Sequence, residues 1–158
     1  GLEVVIVNPG VIFGYGFPRK GSDVIIQSVK NGLSFYTKGN IGIVSVDDVT
    51  NCMIQLVNST ISGERYILLG ENVILKDFIT YLATLLNIKA PTVYASKTMT
   101  SIAWRLDWLI AKITNRKRKL TRATAKASHS VHIYDTSKIV TALNYSFQKK
   151  ETYLTKII

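Results

Sequence analysis

Gly1-Leu-Glu-Val-Val-Ile-Val-Asn-Pro-Gly-Val-Ile-Phe-Gly-Tyr-Gly16 opens the sequence, and its reading decides the rest. Leu2 to Val7 is apolar and rich in β-branched residues, with Glu3 its single charge. A strand buried on both faces of a parallel sheet has that composition. Asn8-Pro9-Gly10 predicts an abrupt end and a sharp turn, since proline removes a donor and glycine frees the backbone. Val11-Ile12-Phe13 is a second short apolar run that meets Gly14 and Gly16. Ligands of open α/β sheets sit beyond the carboxyl ends of the strands. The Pro-Gly turn therefore suits close approach by a ligand, although a buried strand and turn without one would have the same spacing.

Working outward, Ser22 or Asp23 can cap a helix over 24–29 that Asn31-Gly32 closes. Leu33 to Thr37 reads as a short strand and Ile41 to Val46 as another. Asp47 or Asp48 then starts a helix with Val49, Cys52, Met53, Leu56 and Val57 on one face. Glu64 to Leu69 is a strand between the turns Ser62-Gly63 and Gly70-Glu71-Asn72. Leu75, Phe78, Ile79, Leu82, Leu85 and Leu86 fall at helical spacing, and Asn87 suits a left-handed stop. A short extended piece spans Pro91 to Ala95. Met99, Ile102, Ala103, Leu106, Leu109, Ile110 and Ile113 form the longest helical stripe, with Trp104 and Trp108 on an adjacent face. Such a helix needs cover from another lobe, a bound substrate or a second subunit, as in a homodimer. A last short helix ends the chain.

The 158 residues fit one domain with a real core, and 47% hydrophobic content with 3 prolines describes a folded chain. The single cysteine, Cys52, excludes an intrachain disulfide and a cysteine-rich zinc cluster, and fits a small buried hydrophobe. No apolar run reaches the ~18 residues of a membrane-crossing helix, and no signal-peptide pattern opens the chain, so the default expectation is a cytoplasmic protein. Opening on a buried strand suggests a cut end.

The net charge of +10 admits an anionic partner, yet a solvated surface gives the same number. Arg116-Lys-Arg-Lys119, with Arg122 and Lys126 beyond, suits a carbonyl-rich helix end. Binding of nucleic acid or an anionic membrane through residues 112–126 is the rival reading, as a non-enzymatic basic module. No zinc finger, recognition-helix pair or stacking platform supports nucleic acid. His129 and His132 stand without further metal ligands, and Asp47-Asp48 without an accompanying His or Glu; no metal site is expected. Tyr134-Asp-Thr-Ser-Lys138 has the spacing in which a lysine lowers a phenol's pKa. Asp135, with Ile139, Val140 and Leu143 on one side, fits a helix start instead.

VVIVNPGVIFGYG, IGIVSVDDVTNCMIQLV, GERYILLGENVILKDFITYLATLLN and YDTSKIVTALNYSF follow one another in the order found in extended short-chain dehydrogenase/reductases. The chain resembles the carboxyl-terminal half of such an enzyme, of the NAD-dependent epimerase/dehydratase family and nearest its dihydroflavonol-reductase-like branch. The resemblance covers nearly the whole chain, most weakly between Pro91 and Val131. It implies an α/β fold: the C-terminal part of a Rossmann-type reductase, a few strands with a mostly helical substrate-binding lobe over residues 1–158. It implies a missing N-terminal Rossmann half upstream of Gly1, carrying the glycine-rich motif and the Tyr/Lys catalytic pair; no catalytic residue is then expected here, and this portion is inactive alone. The working pair of the family precedes the Asn-Pro turn, so Tyr134 and Lys138 are not that pair. NAD(P) is the implied cofactor, and the substrate a small carbonyl or alcohol; a sugar-nucleotide epimerase or dehydratase is the alternative. Matching by motif, Pro9, Ile12 and Ser22 fall at cofactor-contacting positions, and Phe17, Ile41 and Gly42 along the substrate wall. The family often has Gly-Pro-Gly where this chain has Gly14-Tyr15-Gly16, which leaves the shape of that loop open.

Overall fold

The computed structural model describes residues 2–15, 21–118 and 120–158. They form two compact units, one of residues 1–28, 41–73 and 133–158, the other of 29–40 and 74–132.

The first unit is built on parallel pairing. Strand β1 (Ile6–Pro9) runs parallel to β5 (Arg65–Leu68), with Val7 opposite Tyr66 and Pro9 opposite Leu68. Strand β2 (Val11–Phe13) runs parallel to β4 (Asn40–Ser45), and β4 is also flanked by β6 (Glu71–Ile74). One stretch of chain thus serves two sheets and changes partner at Gly10. This corrects the sequence reading twice. The opening strand covers 6–9 instead of 2–7, and it is not buried on both faces: Leu2, Val4 and Ile6 are exposed, because among the described residues β1 pairs only with β5. Asn8-Pro9-Gly10 does end this strand, as read: β1 stops at Pro9, and β2 begins one residue later at Val11. The amides of Ile6 and Gly10 donate to the carbonyls of Glu64 and Leu68 at 2.9 and 3.0 Å. Alternation along a strand then turns position 9 away from β5, and proline is tolerated there because its missing N–H faces the open edge.

Helix α2 (Val46–Val57) follows β4 without a loop. Its N-cap is Ser45, whose Oγ accepts the Asp47 N–H at 3.1 Å. The expected caps, Asp47 and Asp48, lie inside the first turn instead. Ser45→Ala is expected to cost about 1 kcal/mol, read as a shifted urea midpoint at unchanged slope. Val44, Val49, Cys52, Leu56, Tyr66, Leu68 and Ile139 of helix α6 (Ser137–Leu143) form the core, as the apolar face of α2 requires. Burial pushes the Cys52 thiol up to about 11, with the Asp48 carboxylate adding to it. The chain closes on α7 (Lys150–Ile157).

The second unit is mostly helical. Strands β3 (Phe35–Tyr36) and β7 (Val93–Tyr94) pair in parallel. Helix α3 (Leu75–Leu85) buries Phe78, Ile79, Leu82 and Ala83, and Asn87 stops it at φ 54°, as read. The long helix α4 (Lys97–Thr114) is capped by Ser96, and α5 (Arg122–Ala127), which opens on a Thr121/Thr124 capping box, packs beside it. Asp107 of α4 ties the connection down: it accepts from Arg116 at 2.8 Å and from the Leu120 N–H at 3.1 Å. Helix α1 (Asp23–Lys30) carries the chain from one unit to the other. No helix among the described residues is long and apolar enough to cross a membrane.

Candidate functional site

Five of the six residues that sequence matching selects are described, and all five lie in the first unit; Phe17 lies outside the described residues. Pro9 is exposed at the end of β1. Ile12 lies half-buried in β2 opposite Val44, and the Ser22 hydroxyl donates to its carbonyl. The fold therefore brings Ile12 and Ser22, ten residues apart, into contact. With its proton committed to Ile12, Ser22 Oγ faces any further group as an acceptor until it rotates. Ile41 is half-buried in β4 and Gly42 is buried beside it. A side-chain carbon on Gly10 would stand 2.6 Å from the Gly42 carbonyl oxygen, so the two backbones touch where the chain changes sheets. Leu69 fills the space above both glycines.

These residues fit a nicotinamide dinucleotide in part. The exposed ring of Pro9 and the donor-free edge beside it offer a flat apolar surface at a strand's carboxyl end. Ile12 and Ser22 would hold the adjoining part, with the hydroxyl turned from Ile12. A bound nicotinamide would supply hydride transfer; the chain's own part there is to seat and orient the ring.

The Lys138 ammonium donates to Glu64 Oε2 at 2.6 Å and to the Arg65 carbonyl at 3.1 Å, and lies over the Tyr66 ring. The Tyr134 backbone is bound to the Asn72 side chain. The Asp135 carboxylate accepts from both the N–H and the hydroxyl of Ser137, which holds it below the usual carboxylate range.

Sequence reasoning missed a second place. A groove of about 460 Å³ lies between α4 and α5, lined by Lys97, Thr100, Ser101, Trp104, Arg122, Lys126, His129 and Ser130, with Ala125 at its floor. Lys97, Arg122 and Lys126 carry no ion pair among the described residues. His129 Nε2 lies 2.9 Å from Thr100 Oγ1; burial and then the Lys97 charge hold its pKa below the ordinary imidazole value. Arg105 lies 4.7 Å from the Trp104 ring centre and Lys112 5.3 Å from that of Trp108, so cations partly cover the tryptophans. The groove belongs to a sharply asymmetric charge distribution. The second unit has thirteen lysines and arginines against two carboxylates, a net +11; the first has seven against eight, a net −1; together they give the chain's +10. Counting charge separately over 74–132 would have exposed this. Chemically the groove presents three cations, three hydroxyls and an indole wall, with no carboxylate in its lining, a donor set complementary to an anion. Among the described residues no cluster of side chains could hold a metal ion.

The comparisons with solved structures bear on the whole chain. A nucleoside-diphosphate-sugar epimerase from Pseudomonas aeruginosa superposes with a TM-score of 0.72 at 21% identity, over 99% of this chain and 47% of that one. The fold is that of the C-terminal part of Rossmann-type epimerases and dehydratases. dTDP-glucose 4,6-dehydratase from Streptomyces venezuelae, solved with NAD bound, gives 0.65 at 16% identity over 99% and 42%. UDP-glucuronic acid 4-epimerase from Bacillus cereus, in complex with UDP-glucuronic acid and NAD, gives 0.63 at 16% over 99% and 44%. The chain thus spans less than half the length of the structures it matches. No protein-family model matches the sequence, and no curated protein matches it.

Proposed function

We propose that this chain is the substrate-binding portion of an NAD(P)-dependent enzyme that acts on a CH–OH or carbonyl group, with the glycine-rich motif and the Tyr/Lys pair contributed from elsewhere in the full-length protein. The observation that carries the reading is the superposition of nearly all of this chain on less than half of each Rossmann-type neighbour. The edge of β1 that is open among the described residues supports it, since a parallel strand with one partner has room for a neighbour. In this reading Pro9, Ile12 and Ser22 seat the nicotinamide end of NAD(P), and Phe17, Ile41 and Gly42 belong to the substrate wall. The protein works in the cytoplasm. The experiment is a fluorescence titration of NADH and NADPH, followed by turnover assays, on the chain alone and on the full-length protein. The chain alone should show no turnover and at best weak cofactor binding, and the full-length protein both; a tight NAD(P)H complex of the chain alone would sink the reading.

The groove favours one substrate class over the other. A dihydroflavonol-like substrate has no use for three unpaired cations, whereas the diphosphate of a sugar nucleotide matches them, and Trp104 offers a face for a ring. The sugar-nucleotide alternative is therefore the better supported reading of the substrate. Arg122→Gln and Lys126→Gln are each expected to weaken binding of uridine diphosphate about tenfold, the loss of one charge-assisted hydrogen bond. Calorimetric titration checks this, and unchanged affinity in both variants would return the substrate to the uncharged class.

A further inference from the structure

The side of α4 opposite the groove is apolar and uncovered. Met99, Ile102, Leu106, Leu109, Ile110 and Ile113 share an arc of about 100° and extend along about 21 Å of helix. Ile102 is 55% exposed, Leu106 53% and Ile113 74%, and the only buried residue of the helix is Ala111. Arg105 and Lys112 border this face on one flank, and Lys117 and Arg118 lie just past the helix end. The sole carboxylate of α4, Asp107, is bound to Arg116 and to the Leu120 N–H.

We propose that this face of α4 is a docking surface for an anionic lipid bilayer, with the helix lying in the plane of the interface. The inference goes beyond the enzymatic reading and does not depend on it. Charge selects the occupant. A second copy packed on the same face by two-fold symmetry would bring two units of net +11 together, with Arg105 and Lys112 of each at the seam and no unpaired carboxylate on either helix to receive them. An anionic bilayer gains from the same cations. It accepts the apolar side chains into its acyl boundary while Arg105, Lys112, Lys117 and Arg118 remain at headgroup level.

The test is co-sedimentation of the purified protein with vesicles of phosphatidylcholine alone and of phosphatidylcholine mixed equally with phosphatidylserine. Binding to the mixed vesicles is expected to exceed binding to neutral ones by about tenfold or more, and to fall as salt shortens the screening length from ~10 Å at 0.1 M to ~3 Å at 1 M. Leu106→Gln combined with Ile113→Gln should reduce binding to mixed vesicles about tenfold. Both side chains are exposed, so the urea midpoint of that variant should not move. Arg105→Gln with Lys112→Gln should lower the preference for phosphatidylserine. No binding to mixed vesicles, equal binding to both kinds, or indifference to the Leu106/Ile113 substitutions overturns the proposal. So does light scattering that finds a dimer dispersed by those substitutions, which makes the occupant a second copy.

Discussion

Asp48→Ala is expected to lower the unfolding free energy by about 3–5 kcal/mol, the largest loss from any single polar substitution in the first unit. Asp48 is fully buried in the first turn of α2. Its carboxylate accepts the Tyr145 hydroxyl at 2.8 Å, the Gln148 N–H at 3.1 Å and the Gln148 side-chain amide at 3.4 Å. It thereby pins the segment after α6 to the helix that follows β4. Alanine removes the acceptor, leaves the Gln148 N–H without a partner and leaves the Tyr145 phenol only its contact with Asn51. Tyr145→Phe should cost less, about 1.5–3 kcal/mol, since Gln148 keeps its bonds. Urea unfolding measures both, and a loss below about 1 kcal/mol for Asp48→Ala would show that the tie is dispensable. The contact also has a pH signature. Burial, and then the hydrogen bond to Asp48, push the Tyr145 phenol up to about 12 from its ordinary 10.0. The folded state holds that proton more tightly than the unfolded chain, so this contribution is complete below pH 10.0 and is lost as pH rises from there through about 12. Tyr145→Phe should flatten the alkaline limb of the stability profile over that window.

The second large effect concerns the contact of Gly10 with Gly42. Gly10→Ala is expected to cost about 3 kcal/mol, because the added carbon meets a backbone oxygen at 2.6 Å and the Leu69 Cδ1 at 2.7 Å. For Gly42→Ala the three nearest atoms all belong to the Leu69 side chain. The two substitutions should separate in a Leu69→Ala background. There Gly42→Ala should add less than about 1 kcal/mol, while Gly10→Ala should still add about 2 kcal/mol or more. Equal rescue of both would mean that the two strands part easily at Gly10. A crossing this close places Pro9, just before it, and Ile12, just after it, in fixed relation, so Gly10→Ala in the full-length protein should also weaken NAD(P)H binding.

Local patterns in the sequence were legible where one element decides its own shape. The periodic run through Leu75, Phe78, Ile79 and Leu82, with Asn87 at its end, yields α3 and its left-handed stop, whereas Asp135 stands one residue before the N-cap of α6, Thr136, and accepts the Ser137 N–H from there. Partners distant in sequence were not legible. Asp48 looks like any carboxylate at a helix start until Tyr145 and Gln148 arrive, about a hundred residues later. Strand β6 was hidden because Gly70-Glu71-Asn72 has turn chemistry, although β4 recruits Glu71 onward as a flanking strand. Proline at position 9 reads as a strand breaker unless the open side of β1 is known. Among the expected site residues, Ile12 and Ser22 meet, which no spacing rule foretold. The groove between α4 and α5 was blurred because its cations read as one run with Arg116 to Lys119, when Arg116 is spent on Asp107.

Pro9 has a bearing on whatever lies alongside β1. A strand laid on that edge finds the amide of Val7 to bond and none at Pro9, although the Pro9 carbonyl still accepts, so its ladder loses one donor at that level. The loss falls next to the crossing of Gly10 and Gly42. One missing hydrogen atom thus loosens the hold of a neighbouring strand at the carboxyl end of β1.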